Sequence, residues 1–466
     1  MRARAQKTRA RVQARLPTRG CLSLWLALAL LTACAGTAAA QTGGGFGTTV
    51  RKPRPTGRIS VYEGTWTDTP VDGEAATFNE VITQVTFNAP DTEDDGLDYA
   101  VNFRHAGSTG STRPNRVSFY EGWAGARLGG GHVRVRGGHL WLNDLGALGS
   151  LAGGAVEVRG APGSEKEGIG RFRLGAFAGL DPRLFDLGYY PGVKKFGVYG
   201  AIDGDFGRRH SVGYIQVKDQ SLTERSVVST MNFIPVKRAF FLYQGAEYDL
   251  VQPAGQARAG LNYFYTNARA NAGRKVQLQG MYNRGRSVDT RGLADDVING
   301  RPISQTTALG LAYESVSGRV TVSPVSRVSV YAGVSRDKSN REDKPANRTT
   351  VGGNAMNIAN SGLDVAASLT RTERASGSYR SDYVSVGRQF GRRVYLTGDY
   401  TTSLSMVQFV RSDGLVIIDR PTTKRLSGTG SINIGPATSL QFTVDRVWDT
   451  SYRELRLLTG IAYRFR

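Results

Sequence analysis

The chain has 466 residues, with 60 Lys and Arg against 39 Asp and Glu and a formal net charge of +21. Its two cysteines, Cys21 and Cys34, fall in the first forty residues, so the remainder has neither a disulfide framework nor a thiolate metal site. Such a basic balance suits an anionic partner; with no recognition motif and an exported chain, nucleic acid is not that partner.

Residues 1–40 read as a secretory leader. Arg2, Arg4, Lys7, Arg9, Arg11, Arg15 and Arg19 make a basic start. The apolar stretch from Leu22 to Leu31 follows, and at about ten residues it is too short to span a bilayer as a helix, which needs ~20. Ala38-Ala39-Ala40 before Gln41 fits the A-x-A cleavage pattern. Leu31-Thr32-Ala33-Cys34 is a competing lipobox that would lipidate Cys34; cleavage before Gln41 is the favoured expectation. The leader holds seven of the basic residues and no acid, leaving +14 on the rest. Residues 41–57, with the run Arg51-Lys52-Pro53-Arg54-Pro55, read as a flexible lead-in too short for a plug domain.

From 58 to 466 one texture persists: segments of alternating apolar and polar residues, separated by stretches rich in Gly, Asn, Asp, Ser and Pro. Period-two alternation predicts strands. Val133 and Val135 oppose His132, Arg134 and Arg136; Phe172, Leu174, Ala176 and Ala178 oppose Arg171, Arg173 and Gly175. In the same way Leu261, Tyr263 and Tyr265 oppose Arg258, Gly260 and Asn262, and Val328, Val330, Ala332 and Val334 oppose Arg327, Ser329 and Tyr331. Aromatics near strand ends (Tyr62, Trp66, Phe119, Trp123, Tyr263, Tyr265, Tyr395, Tyr400, Trp448, Tyr452) are expected to form interfacial girdles. Tight turns at 205–208, 323–326, 391 and 435–437 alternate with long connections near 181–192, 285–305, 337–347 and 407–423. The expected fold is all-β: a transmembrane up-and-down antiparallel β-barrel without a plug domain, of even strand number, about 18–22. The segments 152–160, 223–233 and 348–358 are the weakest strands, and counting them gives the upper figure.

The last dozen residues, Leu455–Arg466, carry a resemblance. Gly460, Tyr463 and Phe465 match the closing strand of outer-membrane porins, which ends in a Gly and then two aromatics two residues apart, with Arg466 as an extra residue here. That resemblance implies integral placement in the outer membrane of a Gram-negative-type bacterium, contact with its lipid, and insertion by the barrel-assembly machinery that reads this signal. In size and basic character the chain is similar to barrels that export alginate and other anionic polysaccharides, and a periplasmic polysaccharide-export protein is then an expected partner. It does not resemble a plugged transporter.

Charged residues face lipid only at ~2–4 kcal/mol near the midplane, so alternation turns them into the pore. The lumen-lining candidates for an anion path are Arg104, Arg134, Arg136, Arg171, Arg173, Arg258, Lys275, Arg327, Arg393, Arg456 and Arg464. The competing reading pairs them with acids such as Asp364, Asp399 and Asp445 to stiffen the wall. His105, His132, His139 and His210 are scattered, so neither an enzyme, a cofactor nor a metal site is expected. The expected function is a wide, basic channel for anionic solutes or polymer, with exopolysaccharide exit the favoured cargo. A general small-solute porin and a structural barrel for motility or adhesion are the alternatives.

Overall fold

The structure, a computed structural model, describes residues 55–465 apart from 90–94, 110–114, 162, 165–169, 184–187, 238, 252–259, 304–309 and 411–415. The leader, Cys34, most of the lead-in and Arg258 therefore lie outside the described residues.

One antiparallel sheet winds up and down and closes on itself, each strand bonded to its sequence neighbours and the first to the last. The first strands are β1 (Thr56–Pro70), β2 (Ala76–Asn88), β3 (Gly96–Thr109), β4 (Arg116–Leu128), β5 (Val133–Trp141) and β6 (Ser150–Arg159). They continue with β7 (Arg171–Pro182), β8 (Tyr189–Asp203), β9 (Arg209–Asp219), β10 (Leu222–Val236), β11 (Phe240–Val251) and β12 (Gly260–Ala272). A second run comprises β13 (Val276–Ser287), β14 (Leu311–Val325), β15 (Val328–Ser339), β16 (Ala346–Ile358), β17 (Leu363–Arg374) and β18 (Gly377–Phe390). The last are β19 (Val394–Val410), the short β20 (Val416–Asp419), β21 (Thr422–Asn433), β22 (Thr438–Trp448) and β23 (Tyr452–Phe465). β20 pairs only with the far end of β19, where β21 then takes over, so the ring has 22 strands. The three weak segments are all strands, and the count is the upper one expected.

Gly57 lies opposite Phe465, so both chain ends reach one rim, called here the near rim. The tight turns at 204–208, 326–327, 391–393 and 434–437 also lie there, and the strand ends Pro182 and Tyr189, Ser287 and Leu311, Ser339 and Ala346, and Val410 and Thr422 lie at the far rim.

Two faces alternate along every strand. The outer face carries exposed apolar side chains such as Leu174 (59% exposed), Val198, Val212, Val316, Val330 and Val334, a surface that only lipid tails would cover. On the inner face the strand phases of β5, β7 and β15 are those the alternation predicts.

The phase of β12 is not. Tyr263 pairs with Glu247 and Tyr265 with Gly245, and both rings turn inward, Tyr265 meeting Tyr243 at 5.6 Å. The reason is a bulge in β12, where Asn262 is unpaired between Leu261, opposite Tyr248, and Tyr263, opposite Glu247. The girdle reading needs a wider correction. Tyr62 and Trp66 also face the lumen, Tyr62 donating to Gln441 (2.8 Å) and Trp66 stacking on Phe78 (5.4 Å), and Trp123 lies beside the inner arginines. Period-two alternation fixes which residues share a face but not which face is wet.

β1 and β23 close the ring with a continuous fourteen-pair register. Gly460 faces Tyr62, and a Cβ there would stand 2.2 Å from the Tyr62 ring, so only glycine fits. On the outside, the Phe465 ring lies over Gly57 and continues into a row with Phe87 and Tyr99.

Candidate functional site: a half-filled lumen

Among the described residues the lumen is furnished on one side only. Between β5 and β6 the chain does not stay at the far rim: residues 142–149, including a 3-10 turn at Gly146–Leu148, fold into the barrel against the inner wall of β7–β10. The reason is legible in the side chains. Leu142, Leu145 and Leu148 recur at three-residue spacing and bury against Leu140, Leu151, Phe177, Tyr199, Ile215 and Val227. Leu145 is 1% exposed and sits over Gly213, where a Cβ would lie 2.3 Å from its Cδ2. Each such burial stabilises by roughly 1.5–3 kcal/mol.

An ion pair at one end and lysine hydrogen bonds at the other anchor this inward segment. Arg173 of β7 donates through both Nη atoms to Asp144 (2.6 and 2.9 Å), through Nη1 to Glu157 (3.1 Å), and through Nε to Asp203 (2.6 Å). Glu157 also accepts from Tyr199 Oη and Arg159 Nε, each at 2.5 Å, and Ser211 Oγ donates to the Asp144 carbonyl at 3.0 Å. Toward the far rim, Lys195 Nζ donates to the carbonyls of Leu148 (3.0 Å) and Ser150 (3.1 Å) and pairs with Asp181 (2.6 Å). Asp181 in turn pairs with Arg291, which also reaches Glu224, both at 2.8 Å. Arg291 belongs to α1 (Thr290–Ile298), a helix in the β13–β14 connection whose Leu293 and Ala294 are buried. The helix thus lies over the far end of the same side.

Below the inward segment, toward the near rim, a recess of about 740 Å³ remains, lined by Arg134, Arg136, Arg159, Arg171, Arg173, Arg208 and Arg209 and by Asp144, Glu157, Asp203 and Asp205. Arg134 pairs with Asp98, and Arg171 donates to the carbonyls of Gly160 (2.9 Å) and Gly131 (3.4 Å).

Among the described residues nothing packs onto the opposite wall. Along β13–β21 the register turns small polar residues inward, among them Ser317, Ser335, Thr350, Thr370, Ser381 and Thr401. Three recesses lie in series from the near rim to the far rim. The first, about 560 Å³, is lined by Arg274, Lys275 and Arg327 with Gln277, Ser329 and Asn354. The second, about 230 Å³, contains Arg319, Tyr331, Ser335 and Arg348; the third, about 600 Å³, shares Arg348 and adds Thr370, Thr372, Arg374, Tyr379 and Ser381. No carboxylate lines any of the three. Arg319 lies flat over Tyr331, 3.6 Å from the ring centroid. Arg327 is held by the Asn357 carbonyl and Asn360 Oδ1. Strand spacing puts successive cations roughly 8–14 Å apart.

The sequence-predicted residues thus divide. Arg104, Arg134, Arg136, Arg171, Arg173, Arg456 and Arg464 lie on inner-face positions, whereas Lys275, Arg327 and Arg393 lie in near-rim turns. The acids that hold the inner arginines are mostly not those expected: Asp98, Asp144, Glu157, Asp203 and, for Arg456, Glu454. Asp445 instead pairs with Arg425, and Asp399 accepts from Tyr383 Oη. Arg319, Arg348 and Arg374 were missed, although Arg319 alternates with Val320 and Val322 as plainly as any residue chosen.

A closed antiparallel sheet with an apolar exterior is the geometry of a membrane-spanning β-barrel. No family model and no curated protein matches the chain. Among solved structures it is similar to the P pilus usher PapC translocation pore, at 10% identity and TM-score 0.44, covering 88% of this chain and 100% of that one. OccK8 (OprE) of Pseudomonas aeruginosa follows at 8% identity and TM-score 0.42, covering 88% and 98%. A BenF-like porin of Pseudomonas fluorescens Pf-5 gives 9% identity and TM-score 0.39, covering 88% and 99%.

Proposed function

We propose that the protein is a passive, non-enzymatic outer-membrane channel that conducts anions along its bare wall. The observation that carries this reading is the series of three lumen recesses with cations and hydroxyls but no carboxylate. Cations spaced near the Debye length of roughly 8 Å pass an anion between overlapping positive fields. Several weak sites in series let a solute both enter and leave. The leader supplies export, and the near rim faces the periplasm. An acidic exopolysaccharide fits as cargo because an extended chain would occupy all three recesses at once. A periplasmic export protein would then deliver it to the near rim. A small-solute porin is the second reading, favoured by the inward segment, which narrows the passage.

Reversal potentials of the reconstituted barrel across a salt gradient test the mechanism. The native pore passes chloride more readily than potassium, and the Arg319→Gln/Arg348→Gln/Arg374→Gln variant shifts the potential toward the cation side. A cation-selective native pore, or a triple variant indistinguishable from it, refutes the reading. Current interruptions by oligouronates that lengthen with chain length favour polymer; interruptions independent of length favour small solutes.

A further inference from the structure

We propose that the recess beneath the inward segment is a binding site for a small tetrahedral oxyanion, phosphate or sulfate, distinct from the conducting wall. The inference starts from Arg136. Its register partner is Ala155 on one side and Gly125 on the other, so the sheet offers it no acid. Its Nε is buried without an acceptor, and no carboxylate stands within ion-pair distance of it among the described residues. What it does have is the face of Trp123, shared with Arg134, at 5.4 and 5.3 Å. A half-buried arginine whose Nε is shut off from water and which has no anion in contact is costly, and a neighbouring guanidinium makes it costlier. Glu157 and Asp98 reach it only through space, each already paired with other arginines. Asp144, Glu157 and Asp203 are committed to Arg173, Arg159 and Arg209.

A bound oxyanion supplies the missing counter-charge. The recess, about 740 Å³, is wide enough to admit one with water around it. Arg134 commits its Nε to Asp98 and keeps its Nη atoms, and the Arg209 side chain remains 40% exposed. These guanidinium groups come from β5 and β9, so donors converge from separate directions. A tetrahedral oxyanion accepts from several directions together, whereas a carboxylate presents its two oxygens in one plane. The ligand would link β5 to β9 directly under the inward segment and brace it, which is a resident role and not a transit stop.

The test uses the refolded barrel in detergent, titrated calorimetrically with inorganic phosphate or sulfate against chloride at constant ionic strength. The expected result is saturable binding of one phosphate or sulfate per barrel and a rise in thermal midpoint that equal chloride does not give. Arg136→Gln should weaken phosphate binding about tenfold or more, equivalent to roughly 1.4 kcal/mol per tenfold. Arg136→Lys, which keeps the charge in place, should recover part of it and controls for folding. The Arg319→Gln/Arg348→Gln/Arg374→Gln variant should bind phosphate as the native barrel does. Binding no better than chloride's, or undiminished in Arg136→Gln, or lost in the triple variant, overturns the proposal. Loss of anion selectivity with phosphate binding intact would instead refute only the conduction reading.

Discussion

The two sides of this barrel obey the same alternation and use it oppositely. On β3–β10 the inner positions carry large apolar groups and charges that are mostly paired with one another, Arg136 excepted, and a piece of chain is packed onto them. On β13–β18 many inner positions carry small hydroxylated residues and glycines, and the recesses that hold Arg319, Arg348 and Arg374 contain no carboxylate among the described residues. A lumen-facing arginine therefore has no fixed meaning. Beside a buried carboxylate it is a rivet; beside serine and threonine it is a surface that solute can reach.

Substitutions that cross this divide should separate sharply. Arg173→Met removes the cation that Asp144, Glu157 and Asp203 share, leaving Glu157 to Arg159 and Asp203 to Arg209. Breaking such a buried network costs about 3–5 kcal/mol, to be read as a lower urea midpoint in vesicles, together with a larger single-channel conductance as the inward segment loosens. A variant as stable as the native barrel would show that the filled side is held by packing alone. Leu145→Ala should cost about 2 kcal/mol, the lower end for a buried leucine, because the lumen can rehydrate the gap. The smallest stability effect belongs to the Arg319→Gln/Arg348→Gln/Arg374→Gln variant, within about 0.5 kcal/mol per site since no partner is left unpaired. If that variant unfolds as readily as Arg173→Met, the two sides are not the different structures described above.

Much of the barrel was legible in the sequence, because a strand with lipid on one side and water on the other writes its own period. Val328–Val334 and Phe172–Ala178 show it without ambiguity. What escaped was whatever depends on a third element. Arg173 looks like Arg319 within its own strand; only the return of Asp144 into the lumen distinguishes them. That return has a signal, the three-residue spacing of Leu142, Leu145 and Leu148 in a stretch where a far-rim connection ought to be polar. Tyr263 and Tyr265 were misplaced because β12 carries one extra residue, Asn262, that shifts its phase, and only its pairing with β11 reveals which residue is extra. Trp66 and Tyr62 were assigned to the lipid boundary on residue type, where their partners Phe78 and Gln441, on other strands, decide the matter.

The seam between the first and last strands has a consequence for how the molecule is made. Its two edges are separated by nearly the whole chain, so they are the slowest contacts to form and meet after the rest of the sheet exists. Backbone hydrogen bonding alone would accept a displaced join, and a slip by one residue would turn the whole terminal strand inside out. Tyr62 prevents it, because the ring has room opposite Gly460 and would strike the side chain of Thr459 or Ile461 one step either way. The closing step is thereby a proofreading step: a single glycine lets the correct circle shut and leaves every incorrect one open.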